Sequence, residues 1–235
     1  MAVSKDENER ENLSRPALRR QREREQRCRT ILEAAERLFA SEGYHRASME
    51  QIADAAEVSV GAVYFYFKNK EDLLIRMMHE IGYLMRSILG HEFKSRGATM
   101  EGFRQAGYSF FEKFCAQYPE RAAIMFRESV GKSADVEQHR KELFDKCTND
   151  VLNALNTVCE NQGTAFKGRF SAEVIAVSIM GIYERVAYHY LLWQNKAEDL
   201  NDIGRDAVDF IAGGVSSLFE DPSPAGGREE KKSDG

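Results

Sequence analysis

Apolar positions recur at three- and four-residue spacing along most of this chain, and no alternating run marks a strand. Ile31, Leu32, Ala35, Leu38 and Phe39 form one stripe within a segment, Ala17 to Ala40, that lacks both Gly and Pro. Pro16 suits a first helical turn and Gly43 a stop, which predicts a helix over 16–41. Ser48 and Gln51 stand at capping-box spacing ahead of a short helix, 49–56. Ser59 can cap a second short helix, 60–67, and Asn69 a longer one whose first turn holds Glu71 and Asp72. Two short helices a few residues apart, set between longer ones, outline a helix-turn-helix. Helical patterns continue over 70–90, 99–117, 119–130, 134–162, 171–195 and 200–219. The breaks fall at Gly97, Pro119, Gly131, the 163–168 loop and the 196–199 stretch. The expected fold class is all-α, with a three-helix N-terminal domain over 16–75 and a helical domain over 76–220. Residues 1–15 and 221–235 are expected to be disordered.

Composition narrows the function classes. With 235 residues, 43% of them hydrophobic and 30% charged, the chain can bury a sizeable core and is neither collagen-like nor wholly disordered. Its most apolar run, Val174 to Tyr183, is far shorter than the ~20 residues of a membrane span. The polar N-terminus has no signal-like apolar region, so a cytoplasmic protein with no membrane partner is expected. Cys28, Cys115, Cys147 and Cys159 lie too far apart for a zinc site. The histidines are scattered, and no G-x-S-x-G, H-E-x-x-H or phosphate-loop pattern occurs. Neither an enzyme nor a metal or other cofactor is expected. The formal net charge is −5, yet Arg15 to Arg29 holds seven arginines against Glu23 and Glu25. That basic stretch is either a DNA-contacting arm or a solvated helix laced by i,i+4 pairs, and the two readings are compatible.

Residues Ile31 to Leu74 read ILEAAERLFASEGYHRASMEQIADAAEVSVGAVYFYFKNKEDLL. This segment resembles the DNA-binding domain of the TetR family of bacterial transcription regulators: the opening I-L-x-A-A-x-x-L-F, the Gly-Tyr, the Ser cap, Ile-Ala, a Val-Ser, Tyr-x-Tyr-Phe and Lys-x-x-Leu are in register. The residues themselves agree. Ile52, Ala53, Val58, Val63 and Phe67 are placed to face inward, whereas Tyr64, Phe65 and Tyr66 are consecutive, and a period of 3.6 cannot bury all three. The resemblance implies that Ser59, Val60, Gly61, Tyr64 and Phe65 approach bases or the adjacent backbone of double-stranded operator DNA. It further implies that Tyr66 and Lys70 bind phosphates and that Ser48 caps a helix pointing at one. Taken singly, Tyr64 and Tyr66 are equally readable as packing residues and Lys70 as a surface charge. Val60, Gly61 and Ala62 offer methyls and backbone, which points to thymine-methyl contacts, tyrosine hydroxyls and DNA shape as the basis of specificity. Glu57 stands where the family commonly has Gly, and a left-handed backbone there costs about 1–2 kcal/mol.

Beyond Leu74 the resemblance lies in helix count and layout. Tyr83, Phe110, Phe114, Met125, Phe126, Phe144 and Tyr183 are, as a group, candidates to line a ligand cavity, with Arg127, Glu128 and His189 as polar handles; taken singly, each is better explained by ordinary core or surface packing. The helices 171–195 and 200–219 carry apolar residues over more than one face, and Ala212, Gly213 and Gly214 permit close approach. The resemblance implies a homodimer paired through these helices, and thus two reading heads on a palindromic operator. It also implies a repressor released when a small-molecule effector displaces the helix that begins at Asn69. The apolar inventory suits a fatty acyl or lipid-like effector or, alternatively, an aromatic drug controlling an efflux system. A ligand-independent DNA-binding regulator remains the other reading.

Overall fold

A computed structural model describes residues 15–220. The two segments expected to be disordered fall at or beyond these limits, with residues 1–14 and 221–235 outside the described range. The described chain is helical apart from one bridge between Phe166 and Phe219. In order, α1 spans Arg15–Glu42, α2 Met49–Ala55, α3 Val60–Tyr66, α4 Lys70–Ser95, α5 Met100–Ser109, α6 Pro119–Ala123, α7 Ala134–Gln162, α8 Ser171–Ala187 and α9 Leu200–Ser217. No described helix is long and apolar enough to cross a membrane.

The chain divides into two compact units. The first holds the described residues up to Ile81 together with Ala123–Arg140; the second holds Gly82–Ala122 and the described residues from Lys141 onward. The head unit thus runs past residue 75 and recruits a segment from the middle of the chain, and α4 and α7 each supply residues to both units.

In the first unit local chemistry sets the helix boundaries. Gly43 ends α1 at φ +88°, in the region where a Cβ is costly. At α2 the Ser48 hydroxyl accepts from Gln51 N at 3.1 Å while Ser48 N donates to Gln51 Oε1 at 2.8 Å, completing the capping box. Ser59 caps α3 by accepting from Ala62 N at 3.2 Å. Asn69 Oδ1 accepts from Asp72 N at 2.8 Å, and Asp72 Oδ2 accepts from Lys68 N at 3.0 Å, so the entry to α4 is capped reciprocally. Between α2 and α3, Glu57 adopts φ +54°, the left-handed turn anticipated there.

The second unit departs from the sequence expectation in its helix register. Three segments predicted as parts of continuous helices, within 99–117, 119–130 and 171–195, turn into π-helix at Phe110–Cys115, Ile124–Glu128 and Tyr188–Trp193; the first and third lie in this unit. Bonds of i→i+5 type mark them: Ala116 N to Phe111 O at 2.9 Å, Ser129 N to Ile124 O at 3.0 Å and Gln194 N to His189 O at 3.1 Å. The wider turn changes which side chains share a face, and Phe110, Phe111, Phe114 and Cys115 are all buried. Phe110 stacks on Tyr183 with centroids 4.9 Å apart, and Phe111 meets the same ring edge-on at 5.4 Å. α9 closes on this cluster at Gly204, where an added Cβ would stand 2.5 Å from the Phe111 side chain. Cys115, Cys147 and Cys159 are buried free thiols, as filler residues would be, and burial pushes the Cys147 thiol up to about 12.

Candidate nucleic-acid interface

The reading head is built on an apolar floor. Ile31, Leu32, Ala35 and Phe39 of α1, Ile52 and Ala53 of α2, and Val63 and Phe67 at α3 are buried, with Val58 in the turn half-buried. Val63 and Phe67 commit one face of α3 to this floor. The rest of the helix surface is open: Val60 is 37% exposed, Tyr64 48% and Phe65 69%. A Cβ at Gly61 would meet nothing nearer than Ser59 Oγ at 4.0 Å, so the start of α3 is open to close approach by another molecule. Three large apolar side chains around a glycine, all on one short helix, make an exposed patch of the kind that marks a binding surface.

Each sequence-derived candidate now has a place. Ser59, Val60, Gly61, Tyr64 and Phe65 share the open face of α3. Tyr66 is half-buried and packs edge-on to Phe65 at 5.1 Å. Ser48 uses its hydroxyl as the α2 cap.

Lys70, expected to bind a phosphate, has its ammonium engaged within the head. Its ammonium donates to the carbonyls of Tyr44 at 2.6 Å, His45 at 3.3 Å and Ala47 at 2.8 Å. An ammonium has three protons, and three main-chain acceptors occupy them. Lys70 therefore ties the α1–α2 loop to the start of α4, and desolvation, followed by the nearby Lys132 charge, holds its pKa below the ordinary lysine value.

The loop held by Lys70 is fixed from a second direction. Glu128 Oε2 accepts from Tyr44 N at 2.8 Å, while its Oε1 accepts from Arg127 Nε at 2.6 Å. Arg127 also donates to Ala40 O at 3.5 Å. The Tyr44 ring lies under Lys70 Nζ at 4.5 Å and Lys132 Nζ at 5.2 Å, and its edge meets Phe39 at 5.2 Å. Burial pushes the Tyr44 hydroxyl up to about 12, with a smaller contribution from Glu71. Arg127 and Glu128, expected as handles for a ligand, are thus a clamp on the reading head. Only the fold brings residue 128 to residue 44, so no local sequence signal marks this pair. A second undetected contact places the Arg24 guanidinium 5.6 Å from the Phe65 ring centroid.

The cavity-lining candidates are buried or half-buried in their own units, Tyr83 apart. Phe110, Phe114 and Tyr183 lie together in the second unit, with Phe144 half-buried there, while Met125 and Phe126 are buried within the first. Tyr83 is 75% exposed on α4, whereas Gly82 and Met85 of the same turn are buried. His189 is engaged with Gln194 at 2.7 Å.

The helices expected to pair in a dimer carry exposed apolar residues in the single chain. Val174 and Val177 of α8 are 60% and 62% exposed, and Phe210 of α9 is 75% exposed. Gly181, Gly213 and Gly214 have open space where a Cβ would stand.

Comparison with known proteins agrees with this architecture. Residues 31–77 match the family model of bacterial regulatory proteins, tetR family. An uncharacterised HTH-type transcriptional regulator of Haemophilus influenzae is 36% identical over 75 residues, 32% of this chain and 40% of that protein. The fatty acid metabolism regulator protein of Bacillus subtilis is 46% identical over 50 residues, 21% of this chain and 26% of that protein. The chain thus spans less than half the length of these two relatives. The uncharacterised regulator YuxN of Bacillus subtilis is 40% identical over 194 residues, covering 82% of this chain and 65% of that one. Among solved structures, the transcriptional regulator FadR from Bacillus subtilis, in complex with stearoyl-CoA, superposes with a TM-score of 0.69 at 22% identity. That match covers 79% of this chain and 97% of the other, and it shows a shared fold. With the capped helix-turn-helix, the open α3 face and these matches in agreement, the chain strongly matches the TetR family of bacterial regulatory proteins, with that family's domain over residues 31–77.

Proposed function

We propose that this chain is a dimeric transcriptional repressor that binds a palindromic operator and is released by an acyl or lipid-like effector. The observation that carries the DNA-binding part is the α3 face: Val60, Gly61, Tyr64 and Phe65 stand exposed on a helix whose other face is locked to a packed floor. Such a helix presents methyl, aromatic and hydroxyl groups to a major groove without having to reorganise. Tyr66 flanks that face and is assigned to the adjacent phosphates, while Lys70 and Ser48 act by holding the two short helices in register.

The exposed stripes Val174–Val177–Gly181 of α8 and Phe210–Gly214 of α9 support dimerisation. Apolar and small residues in line allow two copies to approach closely, and a twofold pairing presents two reading heads to two half-sites about one helical turn apart. The effector class draws on the aromatic cluster of Phe110, Phe114 and Tyr183 and on the fatty acid metabolism regulator among the relatives. Release requires the effector to favour the DNA-incompetent state by its differential affinity, since equal binding to both states shifts nothing.

The test couples native mass spectrometry with fluorescence anisotropy on a duplex enriched from a random-sequence pool by the protein itself. A dimer that binds the enriched duplex and loses it on addition of long-chain acyl-CoA is the expected result. Enrichment of no duplex overturns the regulator reading. Release by hydrophobic aromatic compounds alone overturns the acyl assignment and leaves the repressor.

A further inference from the structure

The arginines of α1 sort into two faces. At 3.6 residues per turn, Arg20, Arg24 and Arg27 fall within about 60° of one another and in line with Ile31 and Ala35, which are buried on the floor of the reading head. Arg15, Arg19, Arg22 and Arg29 fall on the opposite side, where Arg19 is paired with Glu23 at 2.8 Å. Glu23 and Glu25 flank the first face rather than lying on it. The face that is apolar beside the floor therefore continues toward the N-terminus as a row of exposed guanidiniums. The stacking of Arg24 on Phe65 fixes the direction of that row: it runs out beside the open face of α3.

We propose that Arg20, Arg24 and Arg27 form a second duplex-DNA contact, gripping the phosphate backbone next to the groove that α3 enters. This rests on the DNA-binding reading above. From residue 20 to residue 27 the helix rises about 10 Å, the axial length of about three base steps at 3.4 Å each, so three guanidiniums match a short run of phosphates. Guanidiniums suit phosphate oxygens because their donors form a planar fork. Arg24 has a double part, since its stacked position also restrains the Phe65 ring that reads the groove. The net charge of the chain is −5, so the local sign of this row, and not the overall charge, must draw the reading head to DNA.

The experiment uses the full chain and the duplex enriched from a random pool by the unaltered protein. Failure to enrich any duplex would count against the DNA-binding reading itself and is thereby separated from this proposal. Dissociation constants are measured from about 50 to 200 mM KCl for the unaltered protein, for the triple variant Arg20→Gln, Arg24→Gln, Arg27→Gln, and for an opposite-face triple, Arg15→Gln, Arg22→Gln, Arg29→Gln. Each lost phosphate contact should flatten the log Kd against log salt slope by about 0.9, so the first variant should lose about 2.7 per protomer and the second close to nothing. Slopes that are unchanged in the first variant, or that fall equally in both, overturn the proposal and leave the row as a solvated helix face. Circular dichroism and thermal melting of both variants guard against a folding effect.

Discussion

The two units of this molecule are helical for different reasons. In the reading head, the helix boundaries are set within a few residues of where they fall: Ser48 with Gln51, Ser59, and Asn69 with Asp72 each satisfy main-chain groups that a helix start leaves unpaired. In the second unit the helices owe their register to long-range packing. Phe110, Phe111, Phe114 and Tyr183 draw a segment into π-helix, and α9 touches that cluster at a glycine. Under the proposed function, a face that meets DNA gains from local definition, whereas a unit that responds to an effector gains from a register held by packing that can change.

The comparison breaks most directly at the aromatic cluster. Phe111→Ala should cost about 3–5 kcal/mol, read by denaturant unfolding, because the ring is fully buried and its place against Gly204 cannot be refilled from solvent. If the second unit depends on packing as argued, near-UV circular dichroism should fall well before far-UV helicity. A loss no larger than that of an exposed substitution would remove the argument.

A smaller effect is expected where a distant residue holds the head. Glu128→Ala removes the acceptor for the buried Tyr44 N–H and leaves Arg127 unpaired on that side, at a cost of about 1–3 kcal/mol. Hydrogen exchange should show faster protection loss around residues 43–47 than in α3. Uniform loss throughout the chain would show that the clamp acts on global stability and not on the loop.

The smallest effect should be a gain. Glu57→Gly relieves a left-handed backbone at φ +54° and should stabilise the head by about 1 kcal/mol, less the entropy that Gly adds to the unfolded chain. A rise in melting temperature with unchanged DNA affinity would place Glu57 outside the interface. A fall in affinity would give its carboxylate a positioning part in the turn.

The head was legible because its signals are local. The capping box, the Ser59 cap and the need for one of three consecutive aromatics to be exposed all follow from neighbours in sequence, the left-handed Glu57 follows from the family resemblance, and each is found in the structure. Lys70 was legible only in part: its position at the start of α4 follows from sequence, but the three carbonyls that it meets come from residues 44–47. The exposure of Tyr83 was not legible, since an apolar pattern gives a face to a helix without saying which turn of that face finds a partner.

By itself the sequence determined the helical class, the helix-turn-helix and its floor, and the separation of an arginine-rich start from an acidic remainder. These depend on hydrogen-bonding partners and periodicities that span a few residues. Tertiary structure decided that Ala123–Arg140 belongs with the head, that Glu128 holds Tyr44, that the aromatic segments adopt π register, and which arginines of α1 stand beside Phe65. Those features join residues tens of positions apart, where the energy of contact depends on the position of the partner and leaves no mark on the local pattern.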